Sequence, residues 1–349
     1  MALLRDTALH IPAIRRLHDA RNELLNERGE LAAHLAACEA RLADLLAGPG
    51  SPFFHYHASF DPVALMHRYA APNLKPRPGY LTNFLGVVID PRFFPEILGG
   101  RAGEVEPIPI PANWHTDIAE WGGALRAVDL ARGSFTMIEL GCGWGCWMNN
   151  TGAAARRVGL DVHVIGVEAD AAHVGFAHEA CADNGFRPSQ VTLVRGIAAA
   201  HPGIALFPRQ ERAGVSWALG PVFGASEAER QEAVQSGTHD ALPMIPLAEL
   251  AAPHVRIDLL HVDIQGGEAA LVADSLPVFH ERVAYLLIGT HSRQIEGRLF
   301  GTLLQAGWRL EIERPAILAM GSGGPTVTVD GVQGWRNPCL LSDECVASH

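Results

Sequence analysis

Residues 135–147, FTMIELGCGWGCW, decide the fold. The apolar run FTMIEL reads as a β-strand. It ends in an acid, gives way to glycines at 141, 143 and 145, and is followed by NTGAAARRVG, which reads as a helix. Strand, glycine loop and helix together form a βα unit of an open sheet, in which ligands gather at the carboxyl ends of the strands where strand order reverses. The alternation continues outward from this unit. DVHVIGVEAD, VTLVRGIAA, IDLLHVDIQ, RVAYLLIGTH and WRLEIER read as strands, and AAHVGFAHEACADNG, GGEAALVADSLPVF and IEGRLFGTLLQAG as helices. WHTDIAEWGGALRAVDLARG, just before the opening strand, is a further helix that closes on a glycine. The pattern predicts an α/β fold with a Rossmann-like, doubly wound, mostly parallel sheet.

The loop itself discriminates between ligands. A dinucleotide site prefers GxGxxG, whose third glycine lets the helix pack beneath a pyrophosphate. Gly141, Gly143 and Gly145 give GxGxG instead, and no Lys-Ser/Thr pair follows them to make a P-loop. Behind an acid, Glu139, this spacing suits the amino-acid tail of S-adenosylmethionine lying against bare backbone, with Cys142 and Trp144 lining the same turn. Glu168 closes the next strand, 23 residues after Gly145, where a carboxylate can accept from both ribose hydroxyls. That placement also suits NAD, so it is the glycine spacing that separates the two. A plain tight turn is the alternative, and it leaves Glu139 and Glu168 without a purpose.

Composition narrows the class. Of 349 residues 48% are hydrophobic and 19% charged, enough to build a core and too ordered a mixture for a disordered chain. A formal charge of −11 with no basic stripe argues against a nucleic-acid partner. There is no run of about 18 apolar residues for a transmembrane helix, and the N-terminus lacks a secretory signal. The six cysteines form no CxxC pairs, so neither a zinc site nor a disulfide framework is expected, and a cytoplasmic setting is.

Three regions follow: 1–47, 48–113 and 114–349. Leu17, Leu24, Leu31, Cys38 and Leu45 recur every seven residues, which reads as a long helix with coiled-coil character able to pair two copies, or as an amphipathic helix docking on its own domain. The 48–113 segment, with its clustered prolines and one short strand in LTNFLGVVID, reads as an irregular cap. Residues 203–247 are the least periodic part of the last region and read as an insertion near the active face.

A second stretch, RIDLLHVDIQGGEAALV at 256–272, sets an acid at the end of a fourth strand and opens a helix with Gly-Gly-Glu. With MIPLAELAAPH upstream and AYLLIGTHS downstream, it resembles the FkbM family of S-adenosylmethionine-dependent methyltransferases over roughly 135–315. His261 stands where that family usually has Lys, and GTHS replaces the commoner glutamate-containing end of the fifth strand. The resemblance implies a class I methyltransferase fold with a seven-stranded sheet. It also implies O-methylation of a sugar, glycan or related hydroxyl, with S-adenosylmethionine as donor and S-adenosylhomocysteine as product. Gly196, Ile197, Asp263 and Gln265 join Glu139, the glycine loop and Glu168 as expected cofactor contacts.

Transfer to an alcohol needs a base, and His291 and Asp263 are the candidates: His291 as a neutral imidazole, and Asp263 to orient it or to position the acceptor. Asp263 could instead cap the helix opening at Gly266, and Glu268 could be a first-turn acid favoured by the helix dipole. Metal-dependent hydroxyl methyltransferases carry an acid pair after the fifth strand; Thr290 and His291 stand there, so no metal ligand is expected. His55 and His57 lack a third ligand and read as surface residues. Trp114, Trp121, Trp144 and Trp217 could stack on a sugar, although core is the commoner fate. A nicotinamide oxidoreductase on the same sheet and a non-catalytic scaffold are the competing readings.

Overall fold

A computed structural model describes Ala20, Arg21, Leu24, Leu25, Arg28 and residues 50–342. The chain divides into two compact units, Met1–Phe54 and His55–His349. Ala20, Arg21, Leu24, Leu25 and Arg28 are helical. The rest of the expected 1–47 helix and its coiled-coil seam, with Cys38 and Cys345, lie outside the described residues.

The second unit is built on one large sheet. Its strands are β1 (His57–Ala58), β2 (Ser134–Leu140), β3 (Asp161–Glu168), β4 (Val191–Arg195), β5 (Leu259–Val262), β6 (Tyr285–Thr290), β7 (Arg309–Arg314) and β8 (Gly331–Arg336). They lie in the order β1-β7-β8-β6-β5-β2-β3-β4. Strands β2 to β6 run parallel, while β8 runs antiparallel to both β6 and β7. The sheet therefore has eight strands, not seven; the extra one is the two-residue β1, antiparallel to β7 at the edge. Every residue of β5 and β6 is buried, as strands covered on both faces must be. Strand order reverses between β2 and β5, and that reversal opens a crevice at their carboxyl ends.

The helices that position the site are α1 (Pro62–Tyr69), α2 (Ile118–Leu130), α3 (Cys146–Arg157), α4 (Ala171–Asp183), α5 (Glu268–Arg282) and α6 (Arg293–Gln305). Asp117 caps α2, accepting from Ala119 N at 2.8 Å, and is tied to Arg314 of β7 at 2.5 Å. The glycines in the WGG of α2 let it lie close. A Cβ on Gly122 would stand 2.5 Å from Pro62, and one on Gly123 would stand 2.6 Å from Leu287 of β6.

Several expectations are corrected. VTLVRGIAA is not one strand: it breaks at Gly196, and Ile197–Ala199 joins a second, three-stranded sheet with Gly203–Pro208 and His239–Pro246. Residue 196 must be bare where the chain passes between the sheets, because a Cβ there would stand 2.6 Å from the Ile245 side chain. The 203–247 insertion thus carries two strands and the helix Glu227–Gln235, and only 209–226 and the turn at 236–238 lack regular structure. LTNFLGVVID forms two short paired strands, Leu81–Thr82 and Val88–Ile89, rather than one. The hairpin Ile317–Gly321/Gly324–Val329, and β8 after it, were not foreseen. Among the described residues no helix is long and apolar enough to cross a membrane.

Candidate active site

The glycine loop sits at the tip of β2. Gly141, Gly143 and Gly145 have φ of 75°, 53° and 76°, backbone that favours glycine. A Cβ on Gly141 would stand 2.0 Å from the carbonyl oxygen of Asp263, so this residue must be bare for β2 and β5 to meet at the crevice. Gly145 is the N-cap of α3. Glu139 is buried and turned toward that helix: its two oxygens accept from Trp147 N at 3.2 Å and Met148 N at 2.9 Å. Burial raises its pKa to about 7 against the pull of nearby His261 and these N–H groups. Glu139, expected as a cofactor contact, holds through these bonds the helix that carries the loop. The side chains of Cys142 and Trp144 are likewise turned into the core, leaving their backbone to the loop. Burial lifts the Cys142 thiol well above its ordinary pKa. Trp121 and Trp144 are core residues, and His55 and His57 are exposed.

Glu168 at the tip of β3 meets the loop. Its Oε2 accepts from Gly143 N at 2.8 Å and its Oε1 from Asp170 N at 2.8 Å. Burial raises its pKa, and these N–H groups oppose the rise. Gly196 N donates to the Glu168 carbonyl at 3.0 Å, so the structure brings Glu168 and Gly196 together. Ile197 is buried in a small apolar cluster with Ala169, Ala205, Phe207 and Leu242.

On the other side of the reversal, Asp263 follows β5 and His291 follows β6. His291 Nε2 lies 3.2 Å from Asp263 Oδ1, and its Nδ1 lies 2.9 Å from Glu268 Oε1. Glu268 is fully buried; the same Oε1 accepts from Ile264 N at 3.2 Å and Gly266 N at 2.9 Å. It therefore orients the imidazole and is no mere dipole acid. Asp263 does not cap α5, whose N-cap is Gly267 without a side-chain bond. Gln265, at φ 58°, donates to Asp263 Oδ1 at 3.3 Å. The neutral imidazole expected of His291 is corrected here: burial opposes its charge, but Asp263 and Glu268 raise its pKa to about 10.

Three features escaped the sequence reading. Beneath the loop, Glu120 of α2 accepts from His261 Nε2 at 3.1 Å and from Trp147 Nε1 at 3.2 Å, so the residue that departs from the FkbM pattern has its own partner. Asp330, before β8, puts Oδ2 3.9 Å from His291 Nε2. The irregular 214–220 strap crosses the crevice mouth. A Cβ on Gly214 would stand 2.4 Å from Phe93 O, one on Gly143 would stand 3.0 Å from Trp217, and one on Gly220 would stand 3.7 Å from Gln265. Trp217 is stacked on Phe94 at 4.2 Å and on His173 at 3.9 Å. Only the three-dimensional placement shows these contacts, because their partners are remote in sequence.

No family model matches the chain. A protein of Jannaschia sp. (strain CCS1), named "Putative methyltransferase", is 42% identical over 276 residues, covering 79% of this chain and 98% of that protein. The chain belongs to this methyltransferase family and is a methyltransferase enzyme, which removes the oxidoreductase and scaffold readings. Among solved structures it is similar to methyltransferase FkbM from Methylobacillus flagellatus KT, at 12% identity and TM-score 0.39, over 62% of this chain and 54% of that one. It is also similar to an O-methyltransferase from Bacillus cereus in complex with SAH, at 13% identity and TM-score 0.32, over 61% and 78%. The family assignment rests on the sequence relative and not on these two likenesses.

Proposed function

We propose that the protein is an S-adenosylmethionine-dependent O-methyltransferase of the FkbM kind, acting on a hydroxyl of a sugar, glycan or related small molecule. The observation that carries this reading is the closure of the glycine loop on Glu168, Gly143 N to Glu168 Oε2 at 2.8 Å, at the same end of the sheet as the Asp263–His291 pair. The FkbM-like motif at 256–272 supports it, since it supplies Asp263, Gln265 and Glu268.

The residues present fit the cofactor. The backbone of the 141–145 loop, whose three glycines take left-handed φ, would carry the amino-acid tail, and the lone pairs of Glu168 not used by Gly143 and Asp170 can accept from ribose hydroxyls. Gly196 flanks that carboxylate, with Ile197 behind it. When bound, S-adenosylmethionine supplies an electrophilic methyl group on a sulfonium. The chain's own work is alignment of the acceptor oxygen, which can contribute up to about 7–11 kcal/mol in the best model systems, and removal of its proton. Asp263 is the group placed to take that proton, because its side chain is 39% exposed whereas that of His291 is 16% exposed and held between carboxylates. Asp263 would accept the hydroxyl proton, while His291, 3.2 Å away and itself held by Glu268, fixes the carboxylate's direction.

The reading is tested by incubating the protein with labelled S-adenosylmethionine and a panel of sugar and phenolic hydroxyl compounds, with amines and thiols as controls. Label on hydroxyl oxygen is the expected result; label confined to nitrogen, sulfur or carbon would sink it.

A further inference from the structure

We propose that Asp263, Glu268 and His291 form a divalent-cation site at the carboxyl ends of β5 and β6, suited to Mn²⁺ or Mg²⁺. One ligand atom from each of the three lies within 4.8 Å of the others. The acid pair of metal-dependent hydroxyl methyltransferases is replaced at the end of β6 by Thr290 and His291. The structure supplies the acids from elsewhere: Asp263 from the end of β5, Glu268 from α5, and Asp330 from the turn before β8.

The arrangement is built and directional. Glu268 Oε1 holds His291 Nδ1 at 2.9 Å, so the ring is fixed and Nε2 is aimed at Asp263 Oδ1 (3.2 Å) and Asp330 Oδ2 (3.9 Å). Glu268 thus orients the histidine through Oε1, as carboxylates do for metal-binding imidazoles, and its other oxygen is the one left for an ion. Three carboxylates also share this one imidazole, an excess of negative charge that a cation would offset. The second oxygen of Glu268 carries the same signal, being buried with no hydrogen-bond partner on a residue that is 0% exposed. A buried anionic oxygen without a partner is costly. One imidazole with carboxylate oxygens is a donor set for hard or borderline ions rather than soft ones. Asp263 and Asp330 leave the site open to solvent, with side chains 39% and 57% exposed, so an ion can enter and keep water or an acceptor oxygen among its ligands.

What the ion does for an acceptor hydroxyl, holding its oxygen and easing loss of its proton, rests on the function proposed above. The binding itself does not. The chain, stripped of metal with a chelator, is titrated with Mn²⁺ while the electron paramagnetic resonance signal of the free ion is followed. Binding of S-adenosylhomocysteine is measured separately on the same preparation. One saturable Mn²⁺ site per chain is expected, weakened at least about 10-fold by Asp263→Asn, since loss of a direct ligand costs no less than loss of an outer-shell partner. Pulsed spectra of the bound ion should show coupling to an imidazole nitrogen that disappears in His291→Gln. Absence of saturable binding, or binding without that nitrogen coupling, would overturn the site. If Mn²⁺ fails to bind while S-adenosylhomocysteine binds, the cation proposal falls and the methyl-transfer reading stands. The converse result supports the site and removes the methyl-donor reading.

Discussion

Glu120 on α2 and His261 on β5 form a largely buried ion pair, 3.1 Å between Oε1 and Nε2, in the layer beneath the glycine loop. Burial works against the charge on Glu120, but His261 and Thr116 carry its pKa down to about 2 from 4.5. Burial likewise opposes charge on His261, and Glu120, Glu139 and Asp263 raise its pKa above 6.5. Glu120's contribution to stability is complete above 4.5 and is lost as pH falls through about 2. His261's contribution is complete below 6.5 and is lost as pH rises through the raised value.

Thermal unfolding followed across pH should therefore show a decline on the alkaline side that originates in His261. A His261→Lys variant, carrying the residue usual in the FkbM family, keeps its charge to higher pH. Relative to the wild type, its melting temperature should gain as pH rises past neutrality, by a few degrees on the order expected for about 1 kcal/mol. An unchanged difference between the two proteins across the whole range would show that the pair does not titrate as described.

Glycines in the loop and on the exposed face of α6 should respond in opposite directions. Gly141→Ala puts a Cβ 2.0 Å from the Asp263 carbonyl in a left-handed backbone, and should cost about 1–3 kcal/mol or more with loss of ligand binding. Gly297 and Gly301 lie on exposed turns of α6 with nothing within 4 Å of an added Cβ. Replacing each by Ala should stabilise by up to about 0.8–1 kcal/mol, with activity unchanged. Urea unfolding midpoints of the three variants check the contrast.

Trp217 covers Gly143 and is stacked on Phe94 and His173. Trp217→Ala should speed dissociation of S-adenosylhomocysteine several-fold, seen in stopped-flow displacement, while the melting temperature changes little. Slower dissociation, or none beyond what lost stability explains, would mean that the strap does not lie in the exit path.

At the acceptor pair, Asp263→Asn should lower kcat about 10²–10⁴-fold, the range for loss of a proton acceptor. His291→Gln should cost less. Steady-state kinetics with saturating donor would separate the two, and a larger loss at His291 would reverse the roles assigned here.

The sheet was legible because β2, β3, β5 and β6 are apolar runs bounded by glycines and acids, and that pattern follows from burial on both faces. The loop and Glu168 were legible for the same reason, since strand ends mark where ligands lie. Asp263 and His291 were found as strand-end residues, but their mutual distance was not, nor was the third partner Glu268, because contact across β5, α5 and β6 depends on register. His261 was marked only as a departure from the FkbM pattern; its partner Glu120 is 141 positions away. The strap and the second sheet were hidden in 203–247, where alternation is broken by glycine and proline and packing alone sets the course. Residues 29–49, which carry most of the heptad pattern, lie outside the described chain.

The central claim, that the glycine loop and Glu168 hold a sulfonium methyl donor, is tested most directly by calorimetry with S-adenosylhomocysteine, using the wild type and Glu168→Ala, with NAD as the competing ligand. The account predicts one S-adenosylhomocysteine per chain, affinity at least about tenfold weaker in the variant, and no heat with NAD. Binding of NAD without S-adenosylhomocysteine, or S-adenosylhomocysteine affinity indifferent to loss of the Glu168 carboxylate, would contradict it.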